Sequence, residues 1–90
     1  MHYEVFDNRI VYRDDERIYA EVTFPKVEGN IVDINHTFVD ESLRGKGIAG
    51  MLMYMVAMDL KNSNRVAKLS CSFAVKWFDM HPEYKALVVD

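Results

Sequence analysis

The chain has few of the residues that several protein classes require. It contains one cysteine among 90 residues, Cys71, so an internal disulfide framework is excluded and packing must hold the fold together. It has 11 lysines and arginines against 14 aspartates and glutamates, which gives a formal net charge of −3. Most nucleic-acid-binding proteins show a basic excess. We therefore expect no nucleic-acid partner.

Long apolar segments are missing as well. The longest uninterrupted run of apolar or small residues, Ile48 to Met58, is far below the roughly 20 residues that a membrane-spanning helix needs. The first ten residues, MHYEVFDNRI, lack the basic start and apolar core of a secretory signal. These absences predict a soluble cytoplasmic protein that has no membrane partner.

What the chain does have is apolar content. Half of its residues are apolar, and a domain of this length can bury a core only if most of them join it. We expect one domain, residues 1–90, that is monomeric or forms a weak homodimer.

The first third of the sequence is typical of an antiparallel meander. The apolar residues between Tyr3 and Tyr12 are interrupted at Asp7-Asn8, which indicates two short extended pieces. Residues 17–24 alternate between apolar and polar, as a half-buried strand does, and Glu28-Gly29-Asn30 has the composition of a hairpin turn.

The remaining chain predicts a parallel strand-helix-strand unit followed by a short helix and a tail. We expect one strand over Ile31 to Val39, an almost entirely apolar helix from Gly47 to Asn62, and a second strand over Arg65 to Phe73. Strict alternation along the first strand would put His36 on the same face as Val32, Ile34 and Phe38. The right-handed crossover would then bring His36 opposite Cys71. Residues 74–80 have helical spacing, and the segment from Tyr84 is expected to be an extended or docking tail. The fold class is α/β.

The sharpest local pattern is the loop Arg44-Gly45-Lys46-Gly47-Ile48-Ala49, which connects the first parallel strand to the helix. Ser, Thr, Asp or Asn is absent from the position where a helix cap would stand, and two glycines let the backbone approach a ligand. Unpaired amides at a helix start favour an anion such as a phosphate, while a plain tight turn is the alternative. The loop lacks the Gly-Lys-Ser/Thr ending of a P-loop and the third glycine of a dinucleotide fingerprint.

His36 and Cys71 are the candidate reactive groups. Taken singly, each is more typical of packing: a hydrogen-bonded histidine and a small core cysteine. Facing each other across neighbouring strands, they could form a thiolate-imidazolium pair or position a proton acceptor. The histidines and the cysteine lack the spacing of a zinc site, so we expect no metal.

The pattern Arg44, Gly47 and Ala49, preceded by a strand that ends in Thr37-Phe38-Val39, resembles the acetyl-coenzyme A signature of the GCN5-related N-acetyltransferase superfamily (GNAT). With His36-Thr37, Cys71 within LSCSF and His81-Pro82-Glu83-Tyr84, the chain resembles the minimal YjdJ-like branch, which lacks the usual N-terminal helices. The resemblance covers Arg17 to Val88. It implies a truncated GNAT fold.

The resemblance also implies a cofactor, acetyl-coenzyme A, between the two parallel strands where they separate. The pyrophosphate would contact Arg44, Gly45, Lys46, Gly47, Ile48 and Ala49, and the pantetheine arm would contact the strand end at Phe38 and Val39. In the minimal branch the matching histidine and cysteine, His36 and Cys71, are the candidate catalytic residues. Many members of the superfamily have a tyrosine that protonates the leaving thiolate, but the aromatic pair here is Trp77-Phe78. Tyr84 could replace that tyrosine only if the tail folds back.

The sequence-based hypothesis is therefore acetyl transfer from acetyl-coenzyme A to an amine, on an unknown small molecule or protein. Transfer could be direct, with His36 as the base, or could pass through an acetyl group on Cys71. The alternatives are a non-catalytic module that binds coenzyme A and a small structural domain without a ligand.

Overall fold

The computed structural model describes residues 1–89 and contains two small sheets. The first sheet has the order β1-β2-β3-β6 and is antiparallel throughout. The second has the order β4-β5-β7, in which β5 and β7 are parallel. The strands are β1 His2–Phe6, β2 Arg9–Arg13, β3 Ile18–Thr23, β4 Lys26–Glu28, β5 Ile31–Ile34, β6 His36–Val39 and β7 Val66–Leu69. The predicted meander and the parallel strand-helix-strand unit are both present.

Two α-helices and two 3₁₀ segments complete the described part of the chain. Helix α1 spans Ile48–Asn62 and helix α2 spans Ser72–Met80. The connection between the parallel strands β5 and β7 contains β6 followed by α1. One 3₁₀ turn covers Glu41–Leu43, and a 3₁₀ helix covers Pro82–Leu87 where an extended or docking tail was expected. In residues 1–89 we find no helix with both the length and the apolar character needed to span a bilayer.

The single strand predicted over Ile31 to Val39 is wrong, because the chain is interrupted at Asn35 and its two halves join different sheets. His36 is the register partner of Thr23, and the Asn35 amide also donates to the Thr23 carbonyl at 3.3 Å. Two residues thus lie opposite one, which is the geometry of a β-bulge. The Thr23 hydroxyl stabilises it by a 2.6 Å hydrogen bond to Asn35 Oδ1.

The extra residue inverts the alternation after Asn35. Val32 and Ile34 are buried, whereas His36 and Phe38 are exposed and Thr37 and Val39 turn inward. The prediction that His36 shares a face with Val32 and Ile34 is therefore wrong for a local reason: side-chain direction has a period of two, so one inserted residue exchanges the faces.

The second parallel strand also ends earlier than predicted. The amides of Ser70 and Cys71 both donate to the Ile34 carbonyl, at 3.1 and 3.0 Å. The pairing of β5 with β7 ends at this shared acceptor. Only two residues separate the end of β7 from the start of α2. Cys71 is consequently the N-cap of a helix and does not belong to a strand.

The core lies between the sheets and the two helices. Helix α1 buries one side in it, and α2 adds an aromatic pair; the buried helical residues are Leu52, Met53, Val56, Ala57, Leu60, Ala74, Trp77 and Phe78. The second side of α1 is covered in part by the C-terminal segment, as expected, since Tyr84 packs edge-on against Tyr54 with ring centroids 6.4 Å apart. The Val89 amide fixes that segment to β7 by donating to the Ala67 carbonyl at 2.9 Å.

Candidate active site

The loop before α1 is held at its start by Asp40. Its carboxylate accepts hydrogen bonds from the Ser42 amide, at 3.0 Å, and from the Ser42 hydroxyl. It also forms an ion pair with Arg17 at 2.7 Å. The Ser42 hydroxyl and amide, followed by Arg17, hold the pKa of Asp40 below its usual range. Asp40 therefore caps the 3₁₀ turn Glu41–Leu43, and it does not cap α1.

Helix α1 begins without a side-chain cap. Its N-cap is Gly47, in the left-handed conformation at φ 77°, and no described side chain accepts a hydrogen bond from the first turn. The amides of Ile48, Ala49 and Gly50 have no acceptor within the helix, because the first turn of any α-helix lacks one. Gly45 is also left-handed, at φ 79°, and open space lies where a Cβ of either glycine would stand. This helix start fits an anionic group that accepts from amides.

A cleft with a volume of about 290 Å³ lies against this helix start. Its walls are mostly apolar, and they come from the end of β6, the loop, the first turn of α1 and the first turn of α2. The lining residues are Val39, Leu43, Arg44, Gly45, Gly47, Ile48, Ala49, Gly50 and Phe73. Most of the predicted cofactor residues are thus brought together at one cleft.

Two predicted cofactor residues, Phe38 and Lys46, do not line the cleft. The residues that sequence reasoning missed are Leu43, Gly50 and Phe73. Phe73 was missed because its segment was read as a strand, whereas it is the second residue of α2. The early end of β7 that puts Phe73 on a helix depends on the hydrogen bonds to Ile34, which no local pattern reveals.

The free edge of β6 leads away from this cleft. The Asp40 amide donates to the Tyr19 carbonyl at 2.7 Å, which shows which residue pairs between β3 and β6 are hydrogen-bonded and which are not. By that alternation, the backbone groups of Phe38 pair with Glu21 on β3, whereas those of Thr37 and Val39 point to the unpaired edge. Val39, and not Phe38, therefore offers unpaired backbone groups beside the helix start.

Cys71, at the start of α2, lies beside the free edge of β6. Its sulfur is 3.4 Å from Thr37 Oγ1. Burial raises the pKa of the thiol, but the Thr37 hydroxyl and the amides of Ala74, Phe73 and Thr37 together outweigh burial, so the pKa lies below its usual value. The amides of Ala74 and Phe73 do not meet the geometry of a cap hydrogen bond, and their effect is electrostatic attraction at the helix start.

His36 lies on the other face of the strand. Its side chain is 56% exposed, and Nε2 is 4.0 Å from Glu21 Oε1. The predicted thiolate-imidazolium pair between His36 and Cys71 is therefore wrong in geometry, because β6 separates the two side chains and Thr37 occupies the position beside the sulfur. The two candidate reactive groups thus flank one strand from opposite sides.

Tyr84 does fold back, but into an aromatic stack. Its ring lies 5.7 Å from that of Trp77 at an interplanar angle of 13°, and His81 stacks on the same indole at 3.9 Å. Burial, then the neighbouring Tyr54 and Glu83, raise the pKa of Tyr84. Its contacts are those of a packing residue.

A larger cleft of about 470 Å³ adjoins Arg65, at the opposite ends of β5 and α1. The guanidinium there is already bonded, to Ser63 Oγ at 2.7 Å and to the Asp7 carbonyl and Asp59 Oδ2 at 2.8 Å each. Because these bonds occupy all three nitrogens, Arg65 acts as a structural clasp. The smaller cleft, with its uncapped helix start, is the better candidate site.

The strand-loop-helix arrangement and its uncapped amides place the chain in a known class of proteins. The GCN5-related N-acetyl-transferase family model matches residues 9–87. The chain therefore belongs to that family and is an acetyltransferase of the GNAT type, as the sequence resemblance predicted. No curated protein matches the chain.

Two solved structures are similar to this one. A GCN5-like protein from Staphylococcus aureus, assigned as an N-acetyltransferase, shares 28% identity over 98% of this chain and 87% of that one, with a TM-score of 0.81. The ribosomal-protein-alanine N-acetyltransferase from Brucella melitensis biovar Abortus shares 19% identity with a TM-score of 0.59, over 91% of this chain and 62% of that one. The chain thus spans less than two thirds of the second protein, and that likeness concerns the fold alone.

Proposed function

We propose that this protein binds acetyl-coenzyme A and transfers the acetyl group directly to an amine. The observation that carries the proposal is the start of α1, where Gly47 is left-handed and no described side chain caps the first turn, at one end of the free edge of β6. An anionic group fits the amides, and an amide-bearing arm fits the strand edge.

Two groups of residues would bind different parts of the cofactor. The amides of Ile48, Ala49 and Gly50 would hold the pyrophosphate, with Arg44 and Lys46 adding positive charge from the loop. The unpaired backbone groups of Val39 and the carbonyl of Thr37 would hydrogen-bond the pantetheine arm. Phe73 and Leu43 would pack against its apolar parts.

An arm bound along this edge would lead its reactive end from Val39 toward His36. When bound, the thioester supplies an activated acetyl group. His36 is exposed there and can accept the proton that the amine loses. Cys71 remains the candidate for a covalent route, with its thiol held by Thr37.

Calorimetric titration with acetyl-coenzyme A is the first test. We expect saturable binding that weakens in Gly47→Ala. The fluorescence of Trp77, the single tryptophan, gives a second signal, because its indole Nε1 is 3.7 Å from the position of a Cβ on Gly50. No heat at roughly millimolar ligand, a concentration at which even a Kd of about 1 mM would be detected, would overturn the proposal.

The second test is thiol release in the presence of amines. We expect acetyl-coenzyme A to be consumed with n-butylamine, spermidine or a lysine-containing peptide. Tight binding without consumption across this panel would favour the alternative, a non-catalytic module that binds coenzyme A. The single domain, the weak or absent self-association and the cytoplasmic location stay predictions.

A further inference from the structure

The face of the first sheet that carries His36 bears a connected set of charged side chains. Register places Glu4, Val11, Glu21 and Phe38 in one row across β1, β2, β3 and β6. His36 lies next to this row, beside Glu21. This is the face opposite to the inward-turned Thr37 and the Cys71 thiol.

Glu21 engages two partners with its two oxygens. Oε2 pairs with Arg9 Nε, and Oε1 lies 4.0 Å from His36 Nε2. The Glu21 side chain is 20% exposed, whereas the His36 side chain is 56% exposed. The carboxylate is thus fixed by its neighbours, and the imidazole projects beyond it into solvent.

We propose that Glu21 is a positioning residue for acetyl transfer: its carboxylate orients the imidazole of His36 toward an amine that approaches this face of the sheet. The inference rests on the proposed function. At 4.0 Å the two groups are too far apart for a direct hydrogen bond, so the carboxylate acts through charge.

The amine nitrogen forms a bond to the acetyl carbon, and the carbon-sulfur bond breaks with its electron pair going to sulfur. The amine proton moves to Nδ1 of His36, because Nε2 is turned to Glu21. The thiolate then takes up a proton, and the imidazolium releases one.

The charged groups facing His36 come from the strands packed against β6. Glu21 on β3 is the nearest, and Arg9 on β2 reaches His36 only through that carboxylate. Glu4, on β1, is in the same row as Glu21 but two strands away from it, and it pairs with His2 at 4.0 Å. Glu4 therefore provides a matched control for the loss of one negative charge on this face.

The test is a double-mutant cycle on acetyl transfer to the fastest amine of the panel. His36→Ala should lower kcat by roughly 100-fold, within the range of general-base catalysis, and added imidazole should restore part of it. Glu21→Gln keeps the size of the side chain, and it should lower kcat about 10-fold with an unchanged KM for acetyl-coenzyme A. Glu4→Gln should leave both constants unchanged.

The double variant decides between positioning and structure. If Glu21 acts through His36, adding Glu21→Gln to His36→Ala causes no further loss. Multiplicative losses, or an equal loss in Glu4→Gln, would overturn the inference while leaving acetyl transfer intact. A wild-type protein that acetylates none of the amines would overturn the inference together with the proposed function.

Discussion

Thr37 and Cys71 are in contact across the opening between β6 and α2, with the hydroxyl oxygen 3.4 Å from the sulfur. His36 precedes Thr37 in the chain, yet its imidazole is on the other side of the sheet beside Glu21. The contact of Thr37 with the Cys71 thiol thus lies on one face of β6, and the pair of His36 and Glu21 lies on the other. Each contact can be tested separately.

Thr37→Val should make the Cys71 thiol less reactive. The variant removes a hydrogen bond that lowers the pKa of the thiol, so the thiolate fraction near neutral pH falls. We expect alkylation by iodoacetamide at pH 7 to slow by about threefold, because the thiolate is the reactive form. Thr37→Ser is the control, because it keeps a hydroxyl at the position beside the sulfur. Equal slowing in both variants would contradict the assignment.

Cys71→Ala should keep most of the acetyl transfer activity. The structure separates Cys71 from His36 by a strand, so the cysteine lacks the histidine partner that would activate it as a nucleophile. We expect kcat within about threefold of the wild type, and no acetyl group on Cys71 in mass spectra of rapidly quenched reactions. An acetylated Cys71 peptide that forms and decays during turnover would establish the covalent route instead.

Gly47→Ala should affect both stability and cofactor binding. At φ 77° an alanine is strained, and we expect a loss of about 1 to 2 kcal/mol in the free energy of unfolding, measured with urea. Gly50→Ala is the matched control in the same cleft, since φ at Gly50 is not positive and its Cβ would only make ordinary contact with Trp77 Nε1 at 3.7 Å. If the control lost as much stability as Gly47→Ala, backbone strain would not be the cause.

Asp40 should contribute to stability above about pH 4 and lose that contribution in acid. Its pKa is depressed in the folded state, so stability is present above the unfolded pKa and is lost as the pH falls through the lower folded value. We expect Asp40→Asn to flatten the acid limb of a urea-unfolding series between pH 5 and about pH 2. Asp15→Asn, an exposed position in the turn before β3, is the comparison. An unchanged acid limb in Asp40→Asn would show that other carboxylates dominate.

Arg65→Lys should destabilise the fold without changing the site. The guanidinium bonds Ser63, the Asp7 carbonyl and Asp59, and it lies 5.6 Å from the Phe24 ring centroid, a set that an ammonium cannot reproduce. We expect a loss of about 1 to 2 kcal/mol in the free energy of unfolding with an unchanged Kd for acetyl-coenzyme A. Arg13→Lys, which loses only a bond to the adjacent Asp14 carbonyl, should be nearly neutral. A weakened Kd in Arg65→Lys would connect this clasp to the cleft.

Local signals in the sequence were enough for the α/β class, for the strand-helix-strand order and for the glycine loop before α1, whose binding of an anion stays a prediction. Gly45 and Gly47 give the loop the backbone freedom that the sequence indicated, because glycine adopts the left-handed conformation without a steric cost. The missing cap residue is likewise visible in the sequence. These features depend on a few neighbouring residues, and the structure contains them where they were expected.

Only the tertiary structure decided which side chains meet. The bulge at Asn35 depends on hydrogen bonds in both directions with Thr23, twelve residues earlier, and it exchanges the faces of every residue that follows in β6. The shared acceptor at Ile34 ends β7 and turns Cys71 into a helix cap beside Thr37. Because such long-range bonds set the register, the partners of His36 and Cys71 could not be read from alternation alone.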